Sequence, residues 1–140
     1  MAKIAVVYWS GTGNTEAMAQ AVEAGAKAAG AEVAMITAAD FGAAQVDEYD
    51  AIAFGCPSMG EEELEDGEFQ PMFDSVREKL GGKKIALFGS YGWGDGEWMR
   101  NWNDDCQSLG AVMACDFVIC NDAPDDEAQA QCKALGAALV

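Results

Sequence analysis

The sequence contains no histidine. That removes the commonest general base near neutral pH and the commonest transition-metal ligand. Cations are scarce too: eight Lys and Arg stand against 24 Asp and Glu, for a formal net charge of −16. Such a surface repels phosphate backbones, so no nucleic-acid partner is expected. It attracts basic partners over a Debye length, about 8 Å in physiological salt. No apolar run approaches the ~18 residues of a membrane helix, so no membrane partner is expected. The short run Ile4 to Tyr8 leads too soon into a glycine loop for a secretory signal, and the expected location is cytoplasmic. Cys56, Cys106, Cys115, Cys120 and Cys132 are odd in number and form no C-x-x-C pair. Reduced, mostly buried thiols are expected, not a disulfide framework or a zinc site.

What is present is a core-forming chain of 140 residues, 51% hydrophobic, which suits one domain spanning residues 1–140. Short apolar runs occur at Ile4 to Tyr8, Val33 to Ile36, Ala51 to Gly55, Ile85 to Gly89 and Val112 to Cys120. Most are continuous, as strands buried on both faces should be. Amphipathic stretches lie between them. Met18, Val22, Gly25 and Ala29 share one helical face. So do Phe69, Phe73, Val76 and Leu80; Trp98, Trp102, Cys106 and Leu109; and Ala128, Cys132, Leu135 and Leu139. This alternation predicts an α/β fold, a parallel sheet with helices on both faces. Asp40 to Asp50, polar and hydrophobically irregular, reads as a loop with room for one helical turn. Asp116, inside the last run, predicts an edge strand. Ligands of such folds bind beyond the carboxyl ends of the strands, which directs attention to the loops after Tyr8, Gly55 and Gly89.

The first loop is Trp9-Ser10-Gly11-Thr12-Gly13-Asn14-Thr15, followed by a helix. Its glycines let successive N–H groups face one point, and Ser10, Thr12, Asn14 and Thr15 add side-chain donors. The helix N-terminus adds partial positive charge, completing an anion cup. It is not a nucleoside-triphosphate loop, because the second glycine of that pattern and its lysine are missing. It is not a dinucleotide fingerprint either, since Glu16 stands where the third glycine belongs. A monophosphate is favoured. The second loop, Cys56-Pro57-Ser58-Met59-Gly60-Glu61-Glu62-Glu63, opens a strongly acidic stretch: six of the eight residues from Glu61 to Glu68 are carboxylic. The third is Ser90-Tyr91-Gly92-Trp93-Gly94-Asp95-Gly96. Trp93 and Met59 can cover the two faces of a planar ring, and the glycines admit backbone N–H groups to its edge.

Ser10-Gly11-Thr12-Gly13-Asn14-Thr15 is similar to the [ST]-x-T-G-x-T phosphate loop of flavodoxins. Met59-Gly60-Glu61-Glu62 and Gly89 to Gly96 resemble the bend and the stacking loop of the short-chain members from anaerobic bacteria. The likeness runs along essentially the whole chain, with Glu61 in the place of the family's usual Asp. It implies a flavodoxin-like, doubly wound, five-stranded parallel sheet in the order 2-1-3-4-5. It further implies a non-covalently bound FMN, held by Ser10, Gly11, Thr12, Gly13, Asn14 and Thr15 at the phosphate. Pro57, Ser58, Met59, Gly60, Glu61, Glu62, Ser90, Tyr91, Gly92, Trp93, Gly94 and Asn121 would surround the ring, with Glu62 accepting from flavin N3–H. The Met59–Gly60 peptide would turn toward N5 in the semiquinone, and the acidic surroundings would make the hydroquinone a strong reductant. The implied function is a low-potential one-electron carrier, a monomer that serves redox proteins with basic docking surfaces. An FMN-dependent quinone or nitro reductase is the alternative; the short chain and the lack of histidine weigh against it. A flavin-free receiver domain needs an Asp at the end of the third strand, where Phe54-Gly55-Cys56-Pro57 offers none.

Overall fold

In a computed structural model, residues 2–60 and 62–140 are described. The chain runs β1 (Lys3–Tyr8), α1 (Asn14–Ala28), β2 (Glu32–Thr37), α2 (Ala43–Val46), β3 (Ala51–Gly55) and α3 (Phe69–Val76). It continues through β4 (Lys84–Tyr91), α4 (Glu97–Ser108), β5 (Val112–Met113), β6 (Val118–Asn121) and α5 (Asp126–Ala138). The sheet is parallel and its order is β2-β1-β3-β4-β5, with β6 also paired to β4. The polar stretch before β3 holds a single turn of 3-10 helix, Ala38–Asp40, and the four-residue α2, as its irregular pattern predicted.

Alternation along the inner strands builds two cores. Ile4 and Val6 of β1 join Met18, Val22 and Ala26 of α1 and Cys132, Leu135 and Leu139 near α5. Ala5 and Val7 face the other way, with Phe54, Phe69, Phe73, Trp98 and Trp102 under α3 and α4. Each fully buried large side chain contributes roughly 1.5–3 kcal/mol. The α1 face corrects one expectation: Ala29 is exposed beyond the helix end, and Ala26 takes its place. The two helices over the first core approach closely at Gly25 and Gly136. A Cβ on either would collide with the partner backbone, at Lys133 O or Val22 O.

The predicted fifth strand, Val112 to Cys120, is broken. Between the pairs Ile85↔Met113 and Phe88↔Val118, β4 advances three residues and its neighbour five. The two extra residues form a bulge spanning Ala114 to Phe117, and exposed Asp116 leaves the ladder there. The edge position follows the charge, and the break follows from solvating it. Strand β4 also runs further than predicted, so Ser90 and Tyr91 end a strand rather than begin a loop.

Candidate functional site

The strand order reverses between β1 and β3, and the loops after β1, β3 and β4 meet there at their carboxyl ends. They enclose a cleft of about 210 Å³. Gly11, Thr12, Asn14 and Thr15 line one side; Pro57, Ser58 and Met59, then Ser90, Tyr91 and Gly92, line the others. Ser10 Oγ is the brace of the first loop: it accepts from Gly13 N–H at 3.1 Å and from Glu16 N–H at 3.3 Å. Its own O–H is left to donate. Gly13 turns the chain into α1 at φ 94°. No acceptor for the N–H groups of Thr12, Asn14 and Thr15 occurs among the described residues. Thr15 is buried and ties the first loop to the third, Oγ1 accepting from Ser90 N–H at 3.4 Å. Ser90 Oγ donates to Asp122 O at 2.6 Å.

The second loop folds back on itself. Met59 and Glu63 exchange both backbone hydrogen bonds at 2.8 Å, with Gly60 at φ 55° and Glu62 at φ 57° in the turn between. Glu61 lies outside the described residues. Glu62 reaches across to the third loop, where Oε1 accepts from Asp95 N–H at 2.9 Å. Arg100 holds Asp95 from the other side, Nη1 donating to its carbonyl at 2.9 Å and Nη2 to its carboxylate at 3.1 Å. Between these clamps Gly94 is at φ 87°, and a Cβ there would collide with the Glu62 carboxylate. Trp93 projects from the clamped loop and is 60% exposed; Met59 is 38% exposed. The two do not share one cavity. Met59 lines the cleft, and Trp93 lines an adjoining hollow with Glu62, Gly94, Asp95 and Glu97.

The structure moves some predicted positions. Ser10 and Gly13 face a larger neighbouring hollow of about 500 Å³ on the β2 side, which Gly11 and Thr12 share. Asn121 ends β6 paired with Tyr91 and does not line the cleft, because the chain turns only at the next residue. Asp122, at φ 57°, occupies the cleft wall. Trp9 was missed as a wall residue. It separates cleft and hollow, its indole N–H donating to Glu68 at 3.1 Å, and a Cβ on Gly11 would meet its ring at 3.0 Å. An aromatic residue directly before a glycine loop was the available signal.

The electrostatics are negative. Glu62, Asp95 and Glu97 bring carboxylate oxygens within 4.8 Å of one another, offset in part by Arg100. Burial, and then Glu16, push the Tyr8 phenol upward at the edge of the hollow. Burial does the same to the Cys120 thiol behind the third loop. The residues fit a phosphorylated, hydroxylated chain ending in a flat ring. Unpaired amides and the helix terminus await an anion, and Ser58 Oγ is a buried hydroxyl with no partner among the described residues. Exposed Met59 stands on the cleft wall and exposed Trp93 on the adjoining hollow.

The family model described as Flavodoxin matches residues 6–135. The flavodoxin of Megasphaera elsdenii is 48% identical over 135 residues, 96% of each chain. That of Clostridium beijerinckii is 42% identical over 131 residues, 94% of each. Among solved structures, the solution structure of the two-electron reduced Megasphaera elsdenii flavodoxin superposes with a TM-score of 0.90 and covers 97% of both chains.

Proposed function

The chain belongs to the flavodoxin family, the FMN-binding electron carriers, and on that premise we propose the part each of its own residues plays. It is an electron-transfer protein rather than an enzyme, it holds FMN non-covalently, and it serves redox partners. Bound FMN supplies reversible one-electron chemistry that no side chain here offers. The first loop binds the phosphate through the amides of Thr12, Asn14 and Thr15 and the hydroxyls of Ser10 and Thr12, with Gly11 and Gly13 shaping it. No counter-cation is used; the helix terminus supplies the positive potential. Pro57, Ser58, Ser90, Tyr91 and Gly92 line the slot, and Ser58 Oγ gains the partner it lacks. Met59 and Trp93 cover the ring faces. Gly60, Glu62, Gly94 and Asp122 shape the polar edge. One oxygen of Glu62 is spent on Asp95 N–H and the other is left for the ring's N3–H.

The observation that carries this reading is the cleft itself: three loops converge at the sheet's switch point around a buried, unpartnered hydroxyl and open amides. Extra negative charge placed there lies beside Glu62, Asp95 and Glu97 on a chain of net charge −16. Those carboxylates would disfavour added negative charge on a bound group and support a low potential. We assign residues 1–140 to one FMN-binding domain, acting as a cytoplasmic monomer on partners with basic docking surfaces. No helix among the described residues is long and apolar enough to cross a membrane.

The test is FMN titration of the apoprotein, wild type against Trp93→Ala. Stacking on an aromatic face is worth roughly 1–3 kcal/mol, so affinity should fall about 5- to 150-fold. Unchanged affinity and an unchanged flavin spectrum would remove Trp93 from the site. Failure of the wild type to take up FMN would remove the carrier reading altogether.

A further inference from the structure

We propose that Trp9 selects FMN against FAD, because its indole walls off the space that the adenylyl half of the dinucleotide would need. This rests on the FMN reading above and deepens it. The cleft and the neighbouring hollow meet at one place. Trp9, Gly11 and Thr12 line both, and all three belong to the first loop. The second and third loops, which line the other end of the cleft, contribute no residue to the hollow. A flavin phosphate held by the first loop therefore has the hollow beyond it. FAD continues from that phosphate through a second one to adenosine. The hollow holds about 500 Å³ against about 210 Å³ for the cleft, so room is not what excludes the extension. The indole between the two is.

The indole is held from several sides. The Trp9 backbone N–H donates to Gly55 O at 3.0 Å, which carries the β1–β3 ladder one residue further. The indole N–H donates to Glu68 Oε1 at 3.1 Å. Glu68 is placed in turn by its backbone N–H, which donates to buried Glu65 at 2.8 Å. The ring also packs against the core under α3 and α4. It lies so near Gly11 that a Cβ there would come within 3.0 Å, which leaves no gap between ring and loop at that point. Swinging the ring aside breaks the Glu68 bond and exposes apolar surface. Charge acts in the same direction. Glu16 and Glu68 line the hollow, and no Lys or Arg among the described residues does. The helix terminus already faces the first phosphate, so a second one would meet carboxylates without a counter-charge. Discrimination of this kind works by obstructing the wrong ligand rather than by adding contacts to the right one. A tryptophan that only supported the loop would serve both flavins alike.

Isothermal titration of the flavin-free full chain with FMN and with FAD tests this, read as the ratio of the two affinities. The wild type should bind FAD much more weakly than FMN. Trp9→Ala joins cleft to hollow, and its FAD-to-FMN affinity ratio should rise about 5- to 150-fold, the range that relief of an overpacked contact spans. Trp9→Leu, which keeps an apolar side chain against the core, should show a smaller rise and decides the matter should Trp9→Ala not fold. Glu68→Gln keeps an oxygen for the indole N–H and removes only charge, so it should raise the ratio less than Trp9→Ala does. Equal loss of both affinities in the Trp9 variants would overturn the proposal. So would a wild type that takes both flavins equally well, or a Glu68→Gln rise as large as that of Trp9→Ala. None of these results touches the carrier reading, which stands or falls on FMN uptake by the wild type.

Discussion

Gly60 and Gly94 both sit in the left-handed region beside the ring site, at φ 55° and 87°, yet they should respond differently to a methyl group. Gly60 has nothing within 4 Å of a new Cβ, so Gly60→Ala carries only the backbone strain of that region, about 1–2 kcal/mol. Gly94→Ala adds a collision with the Glu62 carboxylate and must break its bond to Asp95 N–H. Urea denaturation should show a loss near 1 kcal/mol for Gly60→Ala and a distinctly larger one for Gly94→Ala. Only the second should markedly weaken FMN binding by titration, because it unfastens the loop that carries Trp93. Equal losses at the two positions would mean that the Glu62 clamp contributes nothing. The neighbouring Arg100 acts at the same scale, as one of the few cations in the chain, placed where it pins Asp95.

Helix α3 starts from a carboxylate rather than a Ser or Thr. Glu65 is 8% exposed and accepts from Gly67, Glu68 and Phe69 N–H at 2.7–2.8 Å, while its own N–H donates to Cys56 Sγ at 3.4 Å. A charged acceptor typically contributes 1.5–3 kcal/mol, so Glu65→Ala should cost roughly 2 kcal/mol or more in urea denaturation. Glu65→Gln, which keeps one oxygen, should cost less. Cysteines ride on the same packed elements. Burial, with lesser electrostatic contributions, pushes Cys106 and Cys132 up to about 12, and Cys56 higher still. In the unfolded chain these thiols ionise near 9.0. Between those values the folded state holds more protons, so stability is intact below about pH 9 and falls as pH rises toward 12. Alkylation with mass-spectrometric readout near pH 8 should label half-buried Cys115 and Cys120 first and spare the other three until unfolding.

For the whole molecule, the charge of −16 acts with opposite signs on two measurements. Self-repulsion destabilises the compact state, and attraction speeds encounter with basic partners. Raising salt from about 0.01 to 0.15 M shortens the Debye length from about 30 to 8 Å. Calorimetry should then record a higher Tm, while stopped-flow transfer to a basic redox protein should slow. A rate indifferent to salt would contradict electrostatic docking, and a Tm that falls with salt would contradict self-repulsion. Four of the eight basic side chains are paired internally: Lys27 with Glu23, Arg77 with Asp105, Lys79 with Asp47 and Arg100 with Asp95.

Local chemistry determined much of this in advance. Short continuous apolar runs between amphipathic stretches suit strands covered on both faces, and glycine-flanked Ser, Thr and Asn before a helix suit an anion cup. The β1, β2 and β3 positions, the helical faces from Phe69 to Leu80 and Ala128 to Leu139, and the first loop were therefore readable from spacing alone. The bulge at Ala114 to Phe117 was not, since it depends on where β4 offers partners, and neither was the extension of β4 through Tyr91. Side-chain partners across distant loops were also beyond reach. Glu62 on Asp95 N–H and Trp9 on Glu68 arise only when segments far apart in sequence are brought together. Periodicity reports which face of an element is buried; it carries no information on which polar atom of another element will lie within 3 Å of it.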